Sequence, residues 1–249
     1  MKQLTSTRHP LIKHLVDLRE KRTYRYECQS VVVEGLTIIS ELAKTNRFKC
    51  MIISDERFLK FAESAEEVVI VSCDIMKKIS GLIAPEGILV EMQMPLPSQL
   101  KGAKRVIALD GICDPGNMGT LFRSALALGW DAVFLIDGCD PFNEKVIRAA
   151  MGATFRLSIG WGNWETLKKI AINENLTVFG ADIKGQDIAS VNPCKKILLI
   201  LGNEAHGLSE QAKAMCELIT IPMSKEMESL NVSAAGSIIM YVLKGNLWK

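Results

Sequence analysis

The chain has 249 residues, 48% of them hydrophobic, with a formal net charge of +2. That is room for two compact units with buried cores; there is no apolar run of about 18 residues to span a membrane, and the near-neutral balance is not that of a protein coating nucleic acid indiscriminately. Seven scattered cysteines with no Cys-x-x-Cys pair, and only three histidines, support neither a disulfide framework nor a zinc ribbon nor a histidine-rich metal centre.

The start, Met-Lys-Gln-Leu-Thr-Ser-Thr-Arg-His-Pro, lacks the continuous apolar stretch of a signal peptide. Cytoplasm, or an organelle matrix, is therefore expected, with reduced thiols, no membrane partner and no metal. Residues 1–25 hold Lys2, Arg8, Lys13, Arg19, Lys21, Arg22 and Arg25 against Asp17 and Glu20, a local excess of five positive charges. Such a run is either a solvated helix face or a contact for RNA phosphates. Pro10 suits a first helical turn, and Leu11, Ile12, Leu15, Val16 and Leu18 draw an apolar stripe through the basic stretch, which predicts one amphipathic helix.

Ser30–Glu34 then reads as a strand running into a turn at Gly35, Leu36–Ala43 as a helix, and Phe48–Ser54 and Val68–Val71 as strands, a small-scale α/β alternation. Pro95-Leu96-Pro97-Ser98-Gln99 has the composition of a linker, which divides the chain into 1–97 and 98–249.

Arg105–Asp110 is a predicted buried strand that ends in Gly111-Ile112-Cys113-Asp114-Pro115-Gly116-Asn117. Asp114 or Asn117 can cap the next helix, whose core face is Met118, Leu121, Phe122, Ala125 and Leu126 and which leaves Arg123 and Ser124 off that face. Ala132–Ile136 reads as a strand, Lys145–Met151 and Trp164–Asn173 as helices, and Leu176–Gly180 as a strand with Asp182 beyond its end. The alternation predicts a parallel sheet covered on both faces.

Ile197–Leu201 is an uninterrupted Ile/Leu run closing on Gly202, so Gly202–Leu208 is a loop at a strand's carboxyl end, where open α/β sheets hold ligands. Leu218–Ile221 repeats the pattern and is stopped by Pro222. Apolar residues at 230, 234, 235, 238, 239 and 242 have helical offsets, and Ser229 stands where it can cap that helix.

Leu-Gly-Asn-Glu-Ala-His-Gly-Leu-Ser (201–209) and Ile-Pro-Met with Ser-Leu-Asn-Val-Ser (221–223, 229–233) resemble motifs 2 and 3 of the SpoU/TrmH RNA 2′-O-ribose methyltransferases. Asp-Pro-x-Asn-x-Gly-x-x-x-Arg-Ser-Ala (114–125) resembles their motif 1. The resemblance implies a SPOUT-type α/β fold with a C-terminal trefoil knot, preceded by a small L30e-like α/β domain. It implies S-adenosylmethionine as cofactor, an RNA partner (rRNA or tRNA, rRNA favoured) and a homodimer formed through the last helix, where Ser233–Ser237 are small. Carried over by motif, Leu201, Gly202, Ile221, Met223 and Leu230 bind the cofactor, and Asn117, Arg123, Glu204, Ser229 and Asn231 serve catalysis.

Within that reading, Gly202 would let main chain approach the ligand, and the Ile221 and Leu230 main chains would meet adenine edges. Arg123 would act as base or, more easily for a group that stays protonated, would orient phosphate and hydroxyl and stabilise developing charge. Glu204 would be solvated or would pair with Arg123. His206 reads as structural. One departure stands out: Lys225 occupies a place where many relatives carry glycine, and lysine tolerates positive φ poorly, so this loop is expected to take another path or to be mobile.

Nicotinamide, P-loop and HExxH zinc signatures are absent from the sequence. Two rivals remain: an RNA-binding SPOUT-fold protein without catalysis, and a sister SPOUT enzyme that methylates a base nitrogen.

Overall fold

The computed structural model describes residues 2–192 and 194–245, which group into two compact units: 2–95 with Phe142–Phe155, and 96–141 with 156–245. No helix among the described residues is long and apolar enough to cross a membrane.

The first unit is built on a five-stranded sheet of β1 (Lys2–Leu4), β2 (Ser30–Glu34), β3 (Phe48–Ile53), β4 (Ala65–Val71) and β5 (Ile88–Gln93), in the order β1-β4-β3-β5-β2. β3 runs parallel to β4, while β5 is antiparallel to both β3 and β2. Helix α1 (Pro10–Glu20) begins on its proline, as the spacing predicts, and sinks Ile12, Leu15 and Leu18 onto the sheet among Val32, Ile52 and Leu89. Helix α2 (Arg22–Cys28) follows at once, and Arg25, one of the seven basic residues of the amino terminus, is buried with its guanidinium donating to the Leu18 and Arg19 carbonyls at 2.8 Å. That cation serves the end of α1, not a solvated face. Helices α3 (Leu36–Leu42) and α4 (Cys73–Ser80) complete the unit, together with a run of 3-10 turns over Glu56–Ser64. The same unit takes in α6 (Glu144–Ala150), from far along the chain.

The second unit is a six-stranded sheet, parallel throughout as the alternation predicts, in the order β11-β9-β10-β6-β7-β8. Its strands are β6 (Arg105–Asp110), β7 (Ala132–Ile136), β8 (Ser158–Trp161), β9 (Thr177–Asp187), β10 (Ile197–Gly202) and β11 (Glu217–Thr220). Alternate residues of a strand serve opposite faces. On one face Val106, Ala108, Leu198 and Ile200 pack with Leu167 and Ala171 of α7 (Trp164–Asn173) and with Ala212 of α8 (Glu210–Lys213). The other face carries α5 (Pro115–Ala127) and α9 (Val232–Leu243), which pack on each other, α9 also lying on β10. Ser237 and Ser124 join the two helices at 2.8 Å, and the Trp130 indole donates to the Met240 carbonyl at 3.3 Å. Gly236 makes the close packing possible: a Cβ there would lie 2.6 Å from a Leu121 methyl and 2.7 Å from a Leu201 methyl.

This topology positions a site. From β6 the chain works outward through β7 to β8, then returns to place β10 on the other side of β6. The carboxyl ends of β6 and β10 therefore flank the point where the winding reverses, the usual crevice for a ligand in an open parallel sheet. The two ends are in register, Gly202 opposite Asp110.

Candidate functional site

Three loops meet beyond those strand ends. The loop after β6 turns at Gly111 (φ +69°), and Asp114 caps α5, its side chain accepting the Asn117 N–H at 2.7 Å; of the two caps open from sequence, Asp114 is the one used. The loop after β10 folds back on itself through paired hydrogen bonds between Asn203 and Gly207 (3.0 and 2.9 Å). Gly202 is required here because a Cβ would stand 2.2–2.4 Å from the Gly207 and Leu208 backbone. Its glycine therefore admits the protein's own returning loop, where sequence reasoning looked only for a ligand.

Asn203 holds the two loops together. Its side-chain amide donates to the Gly111 carbonyl at 2.7 Å, and its side-chain oxygen accepts from the Ala205 and His206 N–H groups at 2.9 and 3.1 Å. Asp110, buried at the end of β6, accepts the Ser209 N–H at 2.8 Å and supports the far end of the same loop.

Glu204 lies at the centre of the polar network. Its carboxylate accepts from the backbone N–H groups of Cys113 (3.2 Å) and Asp114 (3.1 Å) and from the Asn117 amide (3.1 Å). The Asn117 oxygen in turn accepts from the Asn231 amide at 3.0 Å. An amide has one accepting and two donating ends, so Asn117 suits a position between a carboxylate and a second amide. Burial pushes the Glu204 pKa up, but the Asn117 amide and the backbone donors more than offset this and hold it below the ordinary carboxylate value. Of the two readings open for Glu204, solvated or paired with Arg123, the pairing is not formed: three donors already converge on the carboxylate, and Arg123 is exposed on α5 with no ion pair or hydrogen bond among the described residues.

The third loop, Ile221–Asn231, leads into α9. The spacing points to Ser229 as the cap of that helix; the structure gives the role to Asn231, whose side-chain oxygen accepts from Ser233 N–H (2.8 Å) and Ala234 N–H (3.3 Å). Ser229 lies too early, since a cap must reach donors two or three residues on and the first helical residue is Val232. Lys225 is exposed and lies outside the set of positive-φ residues, so the loop accommodates lysine without the strain that its glycine-like place suggests.

The loop after β10 and the loop leading into α9 border a cavity of about 550 Å³, and the loop after β6 braces it from outside through Asn117. All five positions carried over for cofactor binding, Leu201, Gly202, Ile221, Met223 and Leu230, line it, as do Glu204, Ser229 and Asn231. Asn117 reaches it only through Glu204 and Asn231, and Arg123 is not among its walls. The turn at Gly202, the flanks of the Pro222 stop and Ser229 thus border one cavity, and Arg123 lies outside its lining.

One wall escaped sequence reasoning. β9 pairs with β11 at Gly180 and again at Gln186 against consecutive residues Leu218 and Ile219, so 181–185 bulge out of the ladder. Bulges redirect side chains and collect beside sites. This one delivers Ala181, Asp182, Ile183 and Lys184 to the cavity, with Gly185 letting the Ile219 backbone approach within 2.4–2.6 Å of where a Cβ would be. Asp182, expected beyond the end of a strand closing at Gly180, instead lies in the bulge of a strand that runs on to Asp187; the readable signal was the polar Asp-Ile-Lys-Gly-Gln run.

The cavity therefore combines apolar walls from Leu201, Ile221, Met223 and Ile239 with two carboxylates, Glu204 and Asp182. Such a lining takes a flat heteroaromatic group between apolar side chains and a cationic group against the acids.

Residues 104–241 match the model of the SpoU rRNA Methylase family, and residues 9–90 match that of the MRM3-like substrate binding domain. The chain is 30% identical to the 23S rRNA (guanosine(2553)-2′-O)-methyltransferase RlmP of Bacillus subtilis, over 98% of this chain and 100% of that one. Among solved structures it superposes on an AdoMet-bound rRNA methyltransferase from Sinorhizobium meliloti with a TM-score of 0.91 at 24% identity, covering 99% and 98% of the two chains. The AdoMet complex of the SpoU methyltransferase AviRb from Streptomyces viridochromogenes gives 0.84 at 22% identity, covering 95% and 97%.

Proposed function

The chain belongs to the SpoU rRNA methylase family, and from that premise we propose that it transfers a methyl group from S-adenosylmethionine to the 2′-hydroxyl of a ribose in RNA, with rRNA favoured over tRNA. The observation that carries this reading is the convergence of the β9 bulge, the loop after β10 and the loop leading into α9 on one cavity whose lining fits the cofactor. Leu201, Ile221 and Met223 offer faces for adenine, and Asp182 and Glu204 offer negative charge to the sulfonium and amino groups. Bound there, S-adenosylmethionine supplies an electrophilic methyl group on a sulfonium.

The chain's own residues supply position and charge. Glu204, Asn117 and Asn231 hold the three loops in one arrangement, so the walls are set before a ligand arrives. Ser229 and Asn231 place polar groups where the cavity opens. Arg123 meets the RNA: a guanidinium without a partner among the described residues can orient a phosphate and the ribose hydroxyl and stabilise charge that develops on oxygen. Because it stays protonated, we assign it to orientation and charge stabilisation, with base character demanding a stronger perturbation than this exposed position provides.

The quaternary reading follows from α9. Ala234, Ile238, Tyr241 and Val242 leave an apolar strip exposed, with Tyr241 62% accessible. A second copy of the chain covering this strip would form the homodimer, a use consistent with how rarely monomers leave such faces bare. The finer fold expectations, a trefoil knot in the carboxyl-terminal region and an L30e-like character for the amino-terminal domain, belong to the same proposal, as does a boundary between the RNA-recognising 1–97 and the catalytic 98–249.

Calorimetric titration with S-adenosylmethionine tests the reading. Saturable binding that is lost in Asn231→Ala, which removes both the α9 cap and the link to Asn117, is the expected result. RNA binding with no heat from the cofactor would favour a SPOUT-fold RNA-binding protein without catalysis.

A further inference from the structure

The first unit contains a second cavity, of about 330 Å³, lined by Leu36, Arg57, Phe58, Lys60 and Glu86. It forms where the carboxyl ends of β2 and β3 meet the amino end of β5, since β5 runs antiparallel to both. Loops at the carboxyl ends of strands are where α/β sheets gather ligand contacts, and the volume is that of a small-ligand site. Two glycines at positive φ shape it, Gly35 (+107°) and Gly87 (+91°), and the Ser54 N–H donates to the Gly87 carbonyl at 2.9 Å to close the sheet edge beneath.

Its charges are arranged in a specific way. Arg57 and Lys60 are three residues apart on the 3-10 stretch Glu56–Ser64, and in a 3-10 helix side chains at that spacing eclipse one another. Both cations are therefore on one side. Arg57 is held over the Phe58 ring (4.7 Å to its centroid) with Nε 3.2 Å from Asp55, and Lys60 stands 5.2 Å from the Phe61 ring centroid. Lys60 has no carboxylate partner among the described residues. Glu86 turns one carboxylate oxygen, Oε2, to the Leu36 N–H, while Oε1 accepts nothing among the described residues.

Resting on the RNA reading above, we propose that this cavity holds one nucleotide of the RNA substrate. The phosphate lies against Arg57 and Lys60, Leu36 gives the base an apolar wall, and an N–H of the base donates to Oε1 of Glu86. The amino-terminal unit, whose charges nearly balance overall, thereby grips the RNA through a built pocket.

The test is fluorescence anisotropy of the full chain with a fluorescein-labelled single-stranded RNA of random sequence, repeated across a salt series. Arg57→Ala/Lys60→Ala, two exposed truncations, is expected to weaken binding about tenfold at low salt and to flatten log K against log salt by about 0.7, the contribution of one phosphate on a single strand. Lys168→Ala/Lys169→Ala, an exposed pair on α7, serves as the control and leaves the slope unchanged. Glu86→Gln discriminates further. If Glu86 merely faced the phosphate, neutralising it would tighten binding; if it accepts from the base, as proposed, binding weakens. An unchanged slope in the Arg57/Lys60 variant, tighter binding by Glu86→Gln, or no binding of this RNA by the wild type overturns the proposal. So does saturable binding of GMP alone at this cavity, lost in the same variant, which would assign it to free nucleotides. Methyl transfer by the wild type is scored separately, so the proposed activity can stand while this pocket fails.

Discussion

Arg123 is exposed on α5 and has no partner among the described residues, while its neighbour Ser124 is tied to Ser237 of α9. Truncating it therefore removes no interaction that holds the fold. Arg123→Ala should lower single-turnover methyl transfer by a factor of at least about one hundred, as expected for loss of a group acting on developing charge, while calorimetry finds S-adenosylmethionine affinity within about twofold of wild type. Glu204 behaves in the opposite sense, because its carboxylate holds the loops and meets the cavity at once. Its folded pKa lies below the ordinary value, so its stabilising contribution is complete above the ordinary carboxylate range and is lost as pH falls through the lower folded value. Cofactor affinity should accordingly be flat down to about pH 5 and fall only in more acid solution. In Glu204→Gln that acid limb should vanish and affinity should be low throughout, since an amide cannot accept from all three donors with both of its ends. A wild-type affinity that declines already near neutral pH would show that another group controls the cavity.

The elements themselves were largely legible. Unbroken apolar runs at Val106–Leu109, Ala132–Ile136 and Ile197–Leu201 announced buried parallel strands, and all three lie inside the six-stranded sheet. What hydrophobic pattern cannot encode is where a strand departs from its ladder: the polar run Asp182–Gln186 marks the stretch, but the bulge at 181–185 is a pairing property of β9 and β11. The same holds for α9. Its apolar positions 230, 234, 235, 238, 239 and 242 have the offsets of one helical face, but of these only Ile239 is buried, together with Gly236, Met240 and Leu243. A helix that is apolar nearly all round does not reveal which side its own sheet will use. Nor does a motif glycine disclose which neighbour needs the room. Gly202→Ala would force a methyl into backbone that cannot yield, and overpacking of this kind costs about 1–3 kcal/mol. A lower denaturant midpoint with an unchanged slope is the expected readout, together with weakened cofactor binding; a midpoint equal to that of wild type would mean that the 203–207 turn shifts freely.

At the scale of the molecule, two units are assembled from an interleaved chain. Nothing in the sequence of Phe142–Phe155 indicated that α6 would pack with residues 2–95, because its apolar stripe is compatible with either core and the choice is made by long-range contacts. The uncovered strip of α9 is the other large-scale feature. If a second copy covers it, light scattering should report twice the chain mass, and Ile238→Asp with Tyr241→Asp should halve it, since a buried unpaired carboxylate opposes association. A wild type that remains monomeric at micromolar concentration would leave the strip to another partner. The central claim concerns chemistry, and its most direct measurement follows tritium from the methyl of S-adenosylmethionine into RNA incubated with the protein, with nuclease digestion and mass spectrometry of the nucleosides. Recovery of the label in a 2′-O-methylribonucleoside, absent with Arg123→Ala, is the predicted result; label on a base, or none in RNA at all, would contradict it.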